Sequence, residues 1–535
     1  MVKAMRTICF ALAGLVFAGM AGAVSAQDYD LIIRRGRVVD GTGNPAWFAD
    51  VAIRDGRIAA LGRVTGTAKA EWNAAGLVIA PGFIDVHTHA DDLAAKPVAE
   101  NFLRMGVTTL VAGNCGSSPV DVGKALRAIE AKTVCVNFAT LIGHNSVRRA
   151  GMGGSFNRPP TAEELQKMRD VTEQALRDGA VGLSTGLIYT PGVFSQTEEI
   201  IELAKVVARY DGLYATHQRD ESTGIFESLA EIIRIAREAG VRAQVSHLKL
   251  SGERAWGRAD EVLALLEQAR AEGLDITQDQ YAYTASSTGI SQLIPSAARE
   301  GTARDFRRRL DDPAQKAQLM ATMRERLRAR GREDYAYAVV AHYRHDPSLN
   351  GLNIVEAAQR HRGAATLDDQ IEMILEIQRN GGASGVFHGM NEDDLQAFMR
   401  HPNTMVACDS GLRTLGEGVP HPRGYGNNAR VLNRYVRELK VLRLEDAIRK
   451  MTSLPATVFR FEERGLLRPG YWADLIVFDP GQVRDTATYT DPHHYAEGFV
   501  HVLVNGVPVI QNHELTGARP GRVLRHRAAA DRRAD

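Results

Sequence analysis

Cysteine is scarce in this chain, four in 535 residues. Cys9 falls in a leader-like N-terminal segment, which leaves Cys115, Cys135 and Cys408, an odd number that argues against a disulfide framework. Cys135 and Cys408 lie in apolar, strand-like runs and read as small buried hydrophobes. Net charge is scarce as well: 65 Lys and Arg stand against 64 Asp and Glu. Nothing in that balance asks for a nucleic acid or an acidic membrane as partner, and a small-molecule substrate is the expected ligand. The one local bias is an Arg-rich end, residues 519–535, expected to be a solvated tail. The N-terminal apolar run is short and fits a leader better than a membrane anchor. Lys3 and Arg6 precede an apolar stretch over residues 7–24 and the small-residue sequence Val24-Ser25-Ala26. This describes a cleavable secretory signal over residues 1–26. The mature protein is therefore expected in the periplasm or outside the cell, with no stable membrane anchor; its oligomeric state is left open.

What is present is a globular composition, 44% hydrophobic and 24% charged, in a chain too long for one ordinary domain. Residues 27–80 alternate β-rich runs with Gly-containing turns (DLIIRRGRVVDGTG, DVAIRDGRIAALG), and the same grammar returns over residues 456–518. Neither set is long enough for its own core, so the two termini are expected to build one small composite β-sandwich. Residues 81–455 alternate apolar strands with amphipathic helices. Strands are expected to begin near Phe83, Val107, Thr133, Val181, Leu213, Arg242, Leu274 and Thr404. Between them lie helices such as TAEELQKMRDVTEQALRDG, with a Thr-x-x-Glu capping box and an end at Gly179. The fold class is α/β, a (β/α)8 TIM barrel. ASGVFHG near Ser384 is a ninth strand candidate. Residues 289–380, rich in helical pattern, read as an insertion over the barrel mouth, in a connection to Asn403 far longer than usual.

Chemistry-bearing residues recur where apolar runs end. His87 and His89 lie two apart in GFIDVHTHADD, so on an extended segment both point the same way, as two ligands of one ion must. Cys115 stands between glycines in GNCGSS, His217 and His247 end the runs of LYATH and RAQVSH, and Asp409 follows TMVAC. Singly these are weak signals: an inert thiol, a core histidine or an Asp turn would each account for one of them. A barrel gathers its strand ends at one mouth, so together they point to one metal centre and a metal-dependent hydrolase, with Asp409 able to take a proton from water. Lys249, Tyr281, Tyr283, Ser287 and Arg423 are further polar residues at strand ends. Arg423 suits a carboxylate ligand or a structural ion pair alike.

These residues also carry a resemblance. GFIDVHTHADD, GNCGSSP, THQRDES, SHLKLSG, YAYTASST and HPRGYGNNARVLNRYVRE together resemble the D-aminoacylase, or N-acyl-D-amino-acid deacylase, branch of the amidohydrolase superfamily, over nearly the whole mature chain. Many members of the superfamily bridge two metals with a carboxylated lysine; this branch uses a cysteine, which Cys115 matches. The resemblance implies zinc-dependent hydrolysis of N-acyl-D-amino acids or related D-residue dipeptides. Cys115, His217 and His247 would hold a tight Zn2+, with His87, His89 and Cys115 at a second, weaker position. It makes Asp409 the general base and lets Lys249, Tyr281, Ser287 and Arg423 contact substrate. Gln218, where the family commonly has an aliphatic residue, and Leu248, where a second His is frequent, depart from the pattern and would alter pocket polarity. A cyclic-amide hydrolase of the hydantoinase or dihydroorotase type is the alternative within the same barrel, and a noncatalytic periplasmic binding protein the alternative outside catalysis.

Overall fold

The computed structural model describes residues 28–526; the leader read at residues 1–26, and residues 527–535, lie outside them. Runs such as VTTLVA are apolar on both faces, and a strand of that kind is stable only where both faces are covered, as helices around a parallel sheet provide. The barrel strands, labelled β1 to β8, are Phe83–Asp85, Val107–Ala112, Asn137–Thr140, Gly182–Gly186, Leu213–His217, Arg242–Val245, Ile276–Gln280 and Thr404–Val406. β1 to β3 pair in parallel in chain order, and so do β4 to β8. The step from β3 to β4 runs through Ile142–Gly143, paired in parallel with β4, and through a 2.9 Å bond from the Val181 amide to the Thr140 carbonyl. β8 rejoins β1 just past their ends. There the Asp409 amide donates to the His87 carbonyl at 2.9 Å, and Ser410–Gly411 pairs in parallel with Thr88–His89. These bonds close the (β/α)8 ring.

Local signals act as their chemistry dictates. The helix Ala162–Arg177 opens on the capping box of Thr161 and Glu164 and buries Met168, Thr172, Ala175 and Leu176. β3 begins at Asn137 rather than near Thr133, because Thr133 closes the helix Val122–Lys132 at φ 48° and the Cys135 amide is taken by the Pro97 carbonyl. β7 begins at Ile276 rather than Leu274, whose amide bonds back to Ala269 at the end of the helix Ala259–Ala271. The ninth strand candidate, Ser384–His388, lies outside the barrel as the centre of an antiparallel sheet with Ala285–Gly289 and Ala338–His342. That sheet carries the helices Ala303–Asp311, Pro313–Ala329, Ile354–Arg362 and Leu367–Arg379 around a core of its own that includes Ile290, Phe306, Met323, Ile371 and Ile374. The break between the first two helices is set by Asp312, whose carboxylate caps the second, and by Pro313 at its first position.

The two ends of the chain meet in one nine-stranded sheet, with Leu475–Phe478 antiparallel to Val78–Pro81 at the junction. Leu31, Ile33, Val51, Ile53, Leu475 and Leu503 share an apolar cluster on it. A buried polar network anchors this sheet to β3. Asp474 pairs with Arg464 and accepts from Asn137 Nδ2 at 3.1 Å and from the Asn505 amide at 2.7 Å, while Asn505 Nδ2 donates to Asn137 Oδ1 at 2.8 Å. Asp474→Ala would leave the Arg464 guanidinium buried without its carboxylate, its Nη2 still donating to the neutral Asn505 Oδ1 at 2.9 Å. It is expected to cost about 3–5 kcal/mol of stability, read from the denaturant midpoint of the mature protein. The Arg-rich end is not a free tail as far as His526. The Phe138 amide donates to Arg522 O at 2.9 Å, the Leu524 amide to Phe138 O at 2.7 Å, and Arg525 pairs with Glu130. Satisfied backbone groups along β3, not solvation, hold this segment. Among the described residues no helix is long and apolar enough to cross a membrane.

Candidate metal centre

Each expected donor sits where a barrel strand hands over to its loop. His87 and His89 follow β1; His87 is fully buried, His89 partly exposed. Cys115 lies just past β2 between two glycines that no other residue could replace without displacement. A Cβ on Gly113 would stand 2.1 Å from Leu141 O, and one on Gly116 2.8 Å from Gly186 N. His217 is the last residue of β5, His247 follows β6 and Asp409 follows β8. Cys115, His247 and Asp409 all adopt positive φ, 53°, 36° and 51°. Such conformations cost energy in non-glycine residues and persist where surrounding structure enforces them, characteristically at functional sites.

The strand ends converge on sulfur. Cys115 Sγ is 3.2 Å from His87 Nε2, 3.7 Å from His247 Nε2 and 3.8 Å from His217 Nδ1. Asp409 Oδ1 lies 3.1 Å from His89 Nε2 and 3.5 Å from His87 Nε2, and its Oδ2 is 2.9 Å from an Arg423 Nη. Two overlapping groups place their donor atoms within 4.8 Å of one another: His87, Cys115, His247 and Asp409, and His217, Glu221 and His247. His89 enters through Asp409.

Charge is held here against burial. Burial opposes ionisation of Cys115, yet His87, His217 and His247 keep its thiol well below the usual value. Burial likewise opposes the Asp409 carboxylate, and Arg423, His87 and His247 hold it well below the ordinary range. The imidazoles answer these anions: against burial, Asp409 and Cys115 lift His89 to about 9, and Cys115, Asp279 and Asp409 raise His87 well above the ordinary value. His217 is pushed down, mainly by burial. Buried anions among imidazole and thiolate donors are what a borderline divalent cation binds. The spacing agrees, since tetrahedral bonds of ~2.3 Å to sulfur and ~2.0 Å to nitrogen put ligand atoms about 3.5 Å apart. His217 Nε2 is buried without a hydrogen-bond partner, its nearest carboxylate oxygen on Glu221 at 3.8 Å. The residues present fit a metal ion.

Two carboxylates were not singled out from sequence. Glu221, four residues after His217, takes Lys249 Nζ at 2.5 Å and lies 3.0 Å from His247 Nδ1. Asp279, in β7, accepts from the His247 amide at 2.9 Å and faces His87 Nδ1 at 3.6 Å. A carboxylate in the fully buried run ITQDQ is the signal that was available for Asp279. These oxygens orient the donor rings.

The expected substrate contacts divide. A cavity of about 320 Å³ has His217, His247 and Asp409 at its floor, and Lys249 and Ser287 on its wall. Tyr281 is buried and does not line it; its hydroxyl points to Met390 Sδ at 3.4 Å, and its ring carries the Arg423 guanidinium at 4.5 Å. Arg423 does not line the cavity either; it lies behind Asp409, engaged by that carboxylate and by Ser287 O at 3.3 Å, with Nη1 buried and without a partner. Tyr283 is buried against Arg430. Gln218 and Leu248 are buried and neither lines the cavity, so their departures from the family pattern do not reach its wall.

The amidohydrolase family model matches residues 70–510. A D-aminoacylase of Alcaligenes xylosoxydans xylosoxydans is 36% identical over 94% of this chain and 99% of its own. An N-acyl-D-glutamate deacylase of the same organism is 34% identical over 94% and 98%. The crystal structure of N-acyl-D-glutamate deacylase from Bordetella bronchiseptica, complexed with zinc and a phosphonate mimic of the tetrahedral intermediate, superposes with a TM-score of 0.80 at 35% identity, covering 93% of this chain and 99% of that one.

Proposed function

The chain belongs to the amidohydrolase family, and from that membership we propose that it is a zinc-dependent hydrolase of N-acyl-D-amino acids, or of related D-residue dipeptides, releasing a carboxylate and the free D-amino acid. The observation that carries this reading is the Cys115 sulfur, within 3.8 Å of nitrogens of His87, His217 and His247 at the barrel mouth. Cys115, His217 and His247 would hold the tight zinc, and His87, His89 and Cys115 would provide a second, weaker position, with Asp409 Oδ1 beside His89 and His87.

What a bound zinc ion supplies there is polarisation of the scissile carbonyl and a lowered pKa for water. Asp409 performs the proton transfer: ionised, at the cavity floor, it takes the proton of the attacking water and returns it to the departing nitrogen. Arg423 grips Asp409 Oδ2, leaving Oδ1 directed at the histidines. Lys249, on the cavity wall and pinned by Glu221, and Arg423, paired with Asp409 and with its Nη1 without a partner, are the cations proposed to take the substrate α-carboxylate. Their placement around the α-carbon selects D over L.

The test is a panel of N-acetyl-D-amino acids with matched L compounds, beside hydantoin and dihydroorotate, assayed with the zinc-loaded protein. Release of free D-amino acid with little or no turnover of the L series is expected. Turnover confined to the cyclic amides would replace this reading with a cyclic-amide hydrolase.

A further inference from the structure

A histidine ligand is steered through its second ring nitrogen, and a carboxylate through its second oxygen. A cysteine offers one ligating atom, a single bond from Cβ, so its sulfur goes where the backbone puts it. At Cys115 that backbone is unfavourable: Gly113, Cys115 and Gly116 have φ of 73°, 53° and 80°, left-handed conformations crowded into one short turn. Such a turn keeps its shape only where its surroundings hold it.

Two side chains outside the ligand set hold this one, each from a different strand. Ser184, fully buried in β4, accepts from the Gly116 amide at 3.0 Å and donates to Gly113 O at 2.5 Å, so a single hydroxyl ties together the residues that bracket Asn114 and Cys115. The approach is close: a Cβ on Gly186, two residues along β4, would stand 2.1 Å from Cys115 O. Asn114, also fully buried, points its Nδ2 at Val86 O, Thr88 O and Val111 O, at 3.3, 3.4 and 3.0 Å. Val86 and Thr88 flank His87, whose Nε2 lies 3.2 Å from the sulfur. Ser184 thereby fixes the turn to β4, and Asn114 fixes it to the end of β1.

Resting on the metal-centre part of the reading above, we propose that Ser184 and Asn114 are the positioning residues for Cys115, holding its sulfur among His87, His217 and His247, where zinc would bind. Neither is a ligand or touches a reacting atom. Removing the Ser184 hydroxyl takes a partner from the Gly116 amide and the Gly113 carbonyl at once. The left-handed turn then relaxes and carries the sulfur away from the imidazoles. Removing the Asn114 amide unties the same turn from the carbonyls on either side of His87.

The full protein, Ser184→Ala and Asn114→Ala are compared in their zinc and cobalt(II) forms. Thr185→Val is the control. Thr185 is the next residue of β4, on the opposite face, and its buried hydroxyl donates to Thr216 Oγ1 at 2.7 Å. Ser184→Ala and Asn114→Ala are each expected to lower zinc affinity by about 10–100-fold, the scale of an outer-shell loss, and to shift or weaken the thiolate-to-cobalt absorption band. Thr185→Val is expected to keep both at the parent level. Circular dichroism of the metal-free proteins reports folding, and if one variant does not fold the other decides. Parent-like zinc affinity with an unchanged band in a folded variant overturns the inference for that residue. Equal zinc loss in Thr185→Val, or loss of the fold in both variants, overturns it altogether by making these residues supports of the barrel alone; the deacylase reading stands in each case. Absence of a thiolate-to-cobalt band in the parent protein overturns the assignment of the sulfur as ligand and this inference with it.

Discussion

Asp409→Asn is expected to lower kcat on N-acyl-D-amino acids by about 10³–10⁴-fold, toward the upper end of what a positioned general base supplies, while the tight zinc stays bound. Asparagine keeps the shape of the side chain and a carbonyl oxygen for His89 or Arg423, so the change is confined to the proton acceptor. Asp409 has no rival within the cavity floor. Glu221 is tied to Lys249 at 2.5 Å, and Asp279 is turned to the His247 amide at 2.9 Å. Single-turnover kinetics with metal analysis on the same sample checks it. Activity close to that of the parent protein would remove Asp409 from the mechanism.

Cys115→Ala is expected to lower zinc affinity by more than the roughly 10–100-fold that loss of an outer-shell partner costs, and turnover with it. Its sulfur lies within 3.8 Å of nitrogens on three imidazoles. Without its charge, the buried histidines lose the anion that draws a cation among them. Alanine adopts φ 53° at the same cost as cysteine, so the backbone is not newly strained. Cys135→Ala and Cys408→Ala are the controls, since both thiols are free and buried and neither sulfur belongs to the grouped donor atoms. Zinc per chain after dialysis against a chelator of graded strength separates the three. Parent-like zinc retention in Cys115→Ala would overturn the assignment of the sulfur.

Much of the site was legible because it is encoded locally. A donor at the end of an apolar run is visible from a few residues, and the barrel's geometry brings such ends together, so His87, His89, Cys115, His217, His247 and Asp409 could be named without coordinates. Tyr281 could be named as well, but not its direction. Its neighbours in DQYAYTASST look exposed to a mouth, whereas the ring lies beneath Arg423 with its hydroxyl on Met390. Arg423 left two roles open on sequence alone, and the 2.9 Å contact with Asp409 shows that its structural pairing and its place at the site are the same contact.

By itself the sequence determined which residue types could ligate a metal, that they terminate barrel strands, and that the two chain ends share one β unit; each depends on short-range periodicity. Only the tertiary structure decided the rest: that Glu221 and Asp279 orient the donor rings, that the segment through His526 is held along β3, and that the ninth strand candidate belongs to a lobe with a core of its own. The physical reason is the same in each case. Partners for a buried charge or an open backbone amide come from segments far apart in the chain, and whether two such groups meet depends on the packing of the elements between them, which no local pattern records.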